Sequence, residues 1–149
     1  MRLISHRGNV DGKYPQYENL PEYVDKALDL GYDCEVDLWI DNDGFYLGHD
    51  EPTYPIDLKW LTDRYLHLWI HCKDLRTLSE MRELQLEMHV DLNYFFHKTD
   101  DSTITSKGDL WVYPGKQPVK HSIAVMPEYH KDDISQAIGV CSDYIKNYK

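Results

Sequence analysis

The residues with chemistry in them crowd into the first half of the chain. Between Cys34 and Asp50 the run CEVDLWIDNDGFYLGHD sets two carboxylates, a tight turn and a histidine close together. Alternate residues of a strand share a face, so Glu35 and Asp37 lie about 7 Å apart along the same side. Two carboxylates so arranged are hard oxygen ligands suited to Mg²⁺ or Ca²⁺. Asp43-Gly44 favours a hairpin reversal, after which Phe45 to Gly48 runs back and carries His49 to the end of the carboxylate strand. A solvated surface hairpin is the alternative. Against it, the acids alternate with Cys34, Val36 and Leu38 and lie between Tyr32 and Trp39, so apolar bulk flanks both faces.

Regular elements must hold these groups in place. Leu3 to Gly8 (LISHRG) reads as a strand ending in His6-Arg7-Gly8, followed by a loop over Asn9 to Tyr17 with the composition of a segment that arches over a site. A helix is expected from Asn19 to Leu30, with Asn19 as its cap, Glu22 three residues on, Pro21 in the first turn and Gly31 at the end. Strand, helix and strand make a parallel crossover. Beyond the hairpin, Glu51 to Pro55 reads as a loop, Ile56 to Arg64 as a short helix, and Leu66 to Lys73 as a strand covered on both faces. Asp74 caps a helix that runs to Leu86. Asn93 to His97, Asp109 to Tyr113, Ser122 to Met126 and Gly139 to Tyr144 read as further strands. A stub of helix is expected near Asp101 to Lys107, none between Pro114 and His121, and barely two turns over Asp132 to Ala137.

This alternation predicts an α/β fold: a reduced or incomplete TIM-like (β/α) barrel of about seven parallel strands with an inserted β-hairpin, in a single domain over residues 1–149. A shortened barrel leaves an unpaired edge that needs cover, which predicts a homodimer. Parallel barrels work at the carboxyl ends of their strands, and His6, then Glu35 and Asp37, then His71 and Lys73 fall at such ends on three successive strands.

Charge narrows the partners. With 16 basic against 26 acidic residues the chain carries a formal −10, which repels polyanions and argues against nucleic acid and anionic membranes. A phosphate must then be held by local cations or a metal. Cys34, Cys72 and Cys141 are odd in number and sit in apolar runs, so reduced core thiols are expected, and with them a reducing, cytoplasmic compartment. No apolar run approaches a membrane span, and a first strand at residue 2 or 3 argues against a leader.

The motifs His6-Arg7-Gly8, Glu18-Asn19, Glu35-Val36-Asp37, Asp43-Gly44 and His49-Asp50, in this order and at this spacing, resemble the glycerophosphodiester phosphodiesterase family, part of the barrel enzymes that include phosphatidylinositol-specific phospholipase C. The dense match covers residues 3 to 50, a third of the chain. The resemblance implies a metal-dependent phosphodiester hydrolase acting on a small-molecule phosphodiester. It implies His6 and His49 as the acid–base pair, and Glu35 and Asp37 as ligands of Mg²⁺ or Ca²⁺, with Mn²⁺ as an alternative. It also implies attack on phosphorus by the substrate's own neighbouring hydroxyl, through a cyclic phosphate that water then opens.

One position departs from the family. The third acidic ligand, two residues before a lysine, is here His71 in His71-Cys72-Lys73. An imidazole suits a borderline metal better than Ca²⁺. His71 is either that ligand or a core histidine bonded to a carboxylate, and Lys73 either binds phosphate or snorkels to solvent. Arg7 grips phosphate oxygens through its fork or braces the site against Glu18. Among later residues, His97, Lys98, Asp100, Trp111, Tyr113, Glu128 and Asp143 stand where substrate contacts would be, with packing or capping the favoured reading. A non-catalytic phosphate-binding or regulatory module on the same fold is the competing function.

Overall fold

The computed structural model describes residues 1–149. In chain order its strands are β1 (Arg2–His6), β2 (Asp33–Asp41), β3 (Gly44–Leu47), β4 (Tyr54–Ile56), β5 (Leu68–Cys72), β6 (Asn93–Phe96), β7 (Ser102–Ile104), β8 (Leu110–Val112), β9 (Ser122–Val125) and β10 (Gly139–Ser142). Three helices intervene: α1 (Pro21–Asp29), α2 (Leu58–Asp63) and α3 (Leu75–Met88). The strands form one curled, mixed sheet. Parallel pairing runs through β6, β5, β2, β1, β10, β9 and β8, so the seven expected parallel strands are present. Antiparallel β3 and β4 extend the far half of β2 as the inserted hairpin, and β7 pairs antiparallel with β8.

β7 replaces the helix expected at Asp101 to Lys107. Thr103, Ile104 and Thr105 are β-branched, and such a run prefers a pleated, half-covered surface to a helix. The strand lies between the two margins of the curl. Ser106, just past its end, donates from its backbone N–H to the Tyr94 carbonyl at 2.8 Å; its hydroxyl accepts from Tyr94 N–H at 3.0 Å and donates to the Leu92 carbonyl at 2.9 Å. Thr103 Oγ1 donates to the Phe96 carbonyl at 3.0 Å. β6 and β8 are thus joined within one chain, and β4, paired only with β3, is left as an open edge of the sheet.

Local signals explain the elements that flank the site. Asp74 accepts from Thr77 N–H at 2.7 Å and starts α3, as expected, although the helix runs two residues past Leu86. Asp57 does the same for α2 through Trp60 N–H at 2.8 Å. α1 differs. Leu20 occupies its cap position and Asn19, in a left-handed conformation, turns away from the helix into the sheet. Tyr54–Ile56, across the end of the expected loop and the first residue of the expected helix, becomes a strand because it has β3 to pair with, and α2 starts two residues later, at Leu58. No regular helix forms over Asp132 to Ala137; a 3-10 turn at Pro127–Tyr129 is the nearest helical element.

Two apolar layers result. Outside the curl, Val36, Leu38, Ile70 and Cys72 pack with Val24 of α1, Leu61 of α2 and Met81 of α3. Inside, Ile4, Trp69, Phe95, Trp111, Ile123, Val125 and Cys141 plug the lower half of the curl. This plug supports the polar residues one step further along the same strand faces. No helix is long and apolar enough to cross a membrane.

Candidate active site at the carboxyl rim

The rim above the plug gathers the side chains that the sequence singles out. His6, Arg7, Glu35, His49, His71 and Lys73 line one cavity of about 540 Å³, with Lys13, His97, Lys98, Tyr113 and Asp143 among the other lining residues. Register brings them together: His6 is paired with Glu35 across β1 and β2, and Asp37 with His71 across β2 and β5. Both acids face inward, buried to 3% and 0% exposure, so the solvated-hairpin alternative is excluded.

Asp37 is the electrostatic centre. Its Oδ2 accepts from Asn19 Nδ2 at 2.9 Å, lies 2.9 Å from Arg7 Nε and 3.6 Å from His49 Nδ1. Its Oδ1 accepts from His71 Nδ1 at 3.0 Å and lies 3.4 Å from Lys73 Nζ. Burial alone would raise the acid's pKa; contacts from His49 and His71 and the charges of Arg7 and Lys73 outweigh it and hold Asp37 well below the usual carboxylate range. Glu35 is the opposite case. Its Oε2 is buried without a hydrogen-bond partner, and burial, then the Asp37 charge, pushes its pKa well above the ordinary value.

The remaining members are fixed by Asp143, which the sequence reads as packing or capping, by Asn9 of the arching loop and by Glu18, the brace expected for Arg7. Asp143, after β10, lies 2.7 Å from His6 Nδ1. Burial would raise the acid, but the His6 hydrogen bond and charge hold it low, so Asp143 is an ionised acceptor and Nδ1 carries the proton. The Nε2 lone pair of His6 therefore faces the cavity, 3.8 Å from Glu35 Oε2. Burial lowers the His6 pKa despite Asp143, which favours the neutral ring. Asn9 Nδ2 donates to both Asp143 Oδ1 at 2.8 Å and Glu18 Oε1 at 3.0 Å, and Glu18 Oε2 accepts from Arg7 Nη1 at 3.1 Å. Arg7 thus braces the site while still lining the cavity.

Backbone geometry aims the two histidine segments. Gly8 has φ +94°, and a Cβ there would meet the Tyr23 ring at 2.6 Å. A Cβ on Gly48, next to His49, would collide with the Glu51 carbonyl. Neither turn accepts a side chain without moving. His49 is the most open of the group at 47% exposure, and Lys73 Nζ stands 3.5 Å from its Nδ1. Lys73 is only 13% exposed, so its ammonium turns inward and does not snorkel.

His71 makes the hydrogen bond of the bland alternative, to Asp37, and stacks between Phe95 and His97. It also stands in a ligand-like group: one donor atom each from Glu35, Asp37 and His71 lies within 4.8 Å of the others. The residues fit a divalent cation: Glu35 Oε1 lies 3.9 Å from His71 Nδ1, and its Oε2 is buried without a hydrogen-bond partner, on the side facing His6. Ligation through His71 Nδ1 would exchange its Asp37 hydrogen bond for the metal. Two carboxylates and one imidazole suit a borderline ion such as Mn²⁺ better than the hard, oxygen-seeking Ca²⁺.

On the far wall, the His97 and Tyr113 rings pack at a 35° tilt with centroids 3.9 Å apart. Burial first, then the His71 and Lys73 charges, lowers the His97 pKa to about 4; burial pushes the Tyr113 hydroxyl far up. Of the later residues read as packing, Asp143 touches His6, whereas Glu128 accepts from Ser142 and Tyr148 and serves the fold. No family model, curated protein or solved structure matches this chain.

Proposed function

We propose that this protein is a metal-dependent phosphodiester hydrolase acting on glycerophosphodiesters or related head-group diesters by paired histidine catalysis. The observation that carries the reading is the flanking of the Glu35–Asp37 pair by two imidazoles in one cavity, His6 beside Glu35 and His49 beside Asp37. Arg7, Lys13, Lys73 and Lys98 add cationic groups to a cavity in an otherwise acidic chain, which suits a single phosphate.

The residues divide the work by their surroundings. His6, held in one tautomer by Asp143, takes the proton of the substrate hydroxyl next to the ester through its free Nε2. His49, at the open side and next to Asp37, hands a proton to the departing alcohol. Arg7 and Lys73 hold the non-bridging oxygens, and the inward-facing aromatic plug keeps bulk water away from the lower side. A nucleophile already tethered to phosphorus needs orientation more than activation, so a small barrel suffices. A divalent cation bound by Glu35, Asp37 and His71 would supply charge neutralisation at a phosphate oxygen. The cyclic phosphate formed in this way is then opened by water with the histidine roles reversed.

Phosphate-ligand binding without turnover is the second reading. It is favoured by Asp37, both of whose oxygens already face protein donors or cations. A phosphorus NMR time course with glycerophosphodiesters, with and without Mg²⁺, Mn²⁺ or Ca²⁺, separates the two. Monoester product is expected, accumulating cyclic phosphate identifies a lyase, and an unchanged diester in every condition overturns the enzyme reading. We read the compartment as cytoplasmic on three buried, unpaired thiols.

A further inference from the structure

We infer that a second cavity, behind the Arg7-Gly8-Asn9 turn, binds a small amphipathic anion, an apolar body carrying a carboxylate or phosphate head, and that its occupant acts on the active site through Tyr23. The cavity measures about 400 Å³ and shares no lining residue with the active-site cavity. Its floor is apolar. α1 turns Tyr23, Ala27 and the cap residue Leu30 toward it at helical spacing, and Val10 and Tyr32 complete the lining. Leu30 is 58% exposed, so an apolar body seated against it removes side-chain surface from water.

Charge selects the head group. Lys26 comes from α1, Lys146 from the 3-10 turn Ile145–Tyr148 and Lys149 from just beyond it, and all three line the cavity. The lysines that form salt bridges are Lys59, Lys73, Lys107 and Lys116, so these three ammonium groups have no carboxylate partner. Lys149 Nζ stands instead 4.6 Å over the Tyr32 ring centroid. Asp11 is the one acid of the lining. Three cations against one acid favour an anion and disfavour an amine, in a chain whose net −10 repels anions elsewhere. A bare inorganic anion would leave the apolar floor uncovered.

The occupant reaches the active site through one ring. A Cβ on Gly8 would meet the Tyr23 ring at 2.6 Å, so the ring lies close against the turn. The Tyr23 hydroxyl donates to Asn9 Oδ1 at 3.2 Å, and Asn9 Nδ2 donates to Asp143 and Glu18, the acids that hold His6 and Arg7. A body packed on Tyr23 therefore bears on the side chain that links both acids.

Amide NMR titration of the whole protein tests this with no substrate present, so its outcome is independent of the phosphodiester reading. The probes are hexanoate, hexyl phosphate, hexanol and hexylammonium. Hexanoate or hexyl phosphate is expected to shift the backbone amides of Gly8, Val10, Ala27 and Leu30 and the side-chain amide of Asn9, with about tenfold higher affinity than hexanol or hexylammonium. The tighter of the two anions names the head group. Lys26→Gln combined with Lys146→Gln should erase most of that preference, and Tyr23→Phe should silence the Asn9 response while the shifts at Ala27 and Leu30 persist. Equal affinity for hexanoate, hexyl phosphate and hexanol overturns the anion site. Shifts confined to His49, His71 and His97 put the anions in the active site alone and overturn it as well. An Asn9 side chain that stays still in the parent while Ala27 and Leu30 respond overturns the coupling. The comparison among probes on the unaltered protein needs no variant to fold.

Discussion

Asn19 grips Asp37 at both ends. Its Nδ2 donates to the carboxylate at 2.9 Å while its Oδ1 accepts the Asp37 backbone N–H at 2.9 Å, and its own left-handed φ of +65° aims the amide into the sheet. One side chain therefore fixes both the strand and the acid at the centre of the cation cluster. Replacing Asn19 by Ala leaves a buried N–H and a carboxylate oxygen short of a donor and strains a backbone that Asn tolerates. The expected cost is about 2–4 kcal/mol, read by urea denaturation. A loss below about 0.5 kcal/mol means that the loop rearranges and the clamp is not structural.

His6→Ala and His49→Ala should each lower kcat on a glycerophosphodiester by about 10²-fold or more, with smaller changes in KM. Phosphorus NMR or a coupled monoester assay measures both. Near-native turnover in the two variants removes the paired histidine mechanism.

Glu35 is buried with its pKa raised, so its ionised form is disfavoured by folding. A raised folded pKa gives stability that is present below the unfolded pKa and is lost as pH rises through the folded one. At neutral pH the Glu35→Gln variant should be more stable than the parent by on the order of 1 kcal/mol without metal. The same change should abolish the upward melting shift expected of the parent with Mg²⁺ or Mn²⁺, about 2.7 kcal/mol at one hundred times the dissociation constant. Differential scanning calorimetry in chelator and in excess metal reads both effects, and an undiminished metal shift in Glu35→Gln discards Glu35 as a ligand.

Asp143 behaves in the reverse sense. Its folded pKa is below the unfolded value of 3.8, so its contribution is present above that value and is lost as pH falls through the folded pKa. Asp143→Asn should therefore be less stable than the parent at pH 6 and converge toward it as pH falls from 3.8 through the lower folded pKa. Denaturant midpoints across that range check this. A parallel offset at every pH points to packing loss in place of the His6 hydrogen bond.

β6 and β8 are joined through β7 and Ser106, so that margin of the sheet has no long open run of backbone donors, and the open edge that is left, β4, is three residues long and carries Pro55. Light scattering at micromolar concentration should return a monomer, and Ser106→Pro, which removes the N–H bonded to Tyr94, should shift the protein toward association or loss of fold.

The sequence by itself determined the strand-borne chemistry. Glu35 and Asp37 had to share a face because strand side chains alternate, and the apolar residues around them had to bury that strand. The Asp43-Gly44 turn had to bring His49 back, because a hairpin's geometry is local. The seven parallel strands were legible from the same short apolar runs. What depends on contact between distant segments was not legible. Asn19 reads as a helix cap because a cap is the local use of Asn before a helix, yet its partner lies on a strand eighteen residues on. Asp143 reads as an ordinary acid at a strand end until β10 pairs with β1 and brings it to His6. Residues 101 to 107 read as a helix stub because nothing in the segment announces the two open margins it fills. Asp37 and Glu35 are chemically alike as letters; only the tertiary structure, by surrounding one with cations and leaving the other an unpartnered oxygen, drives their proton affinities apart.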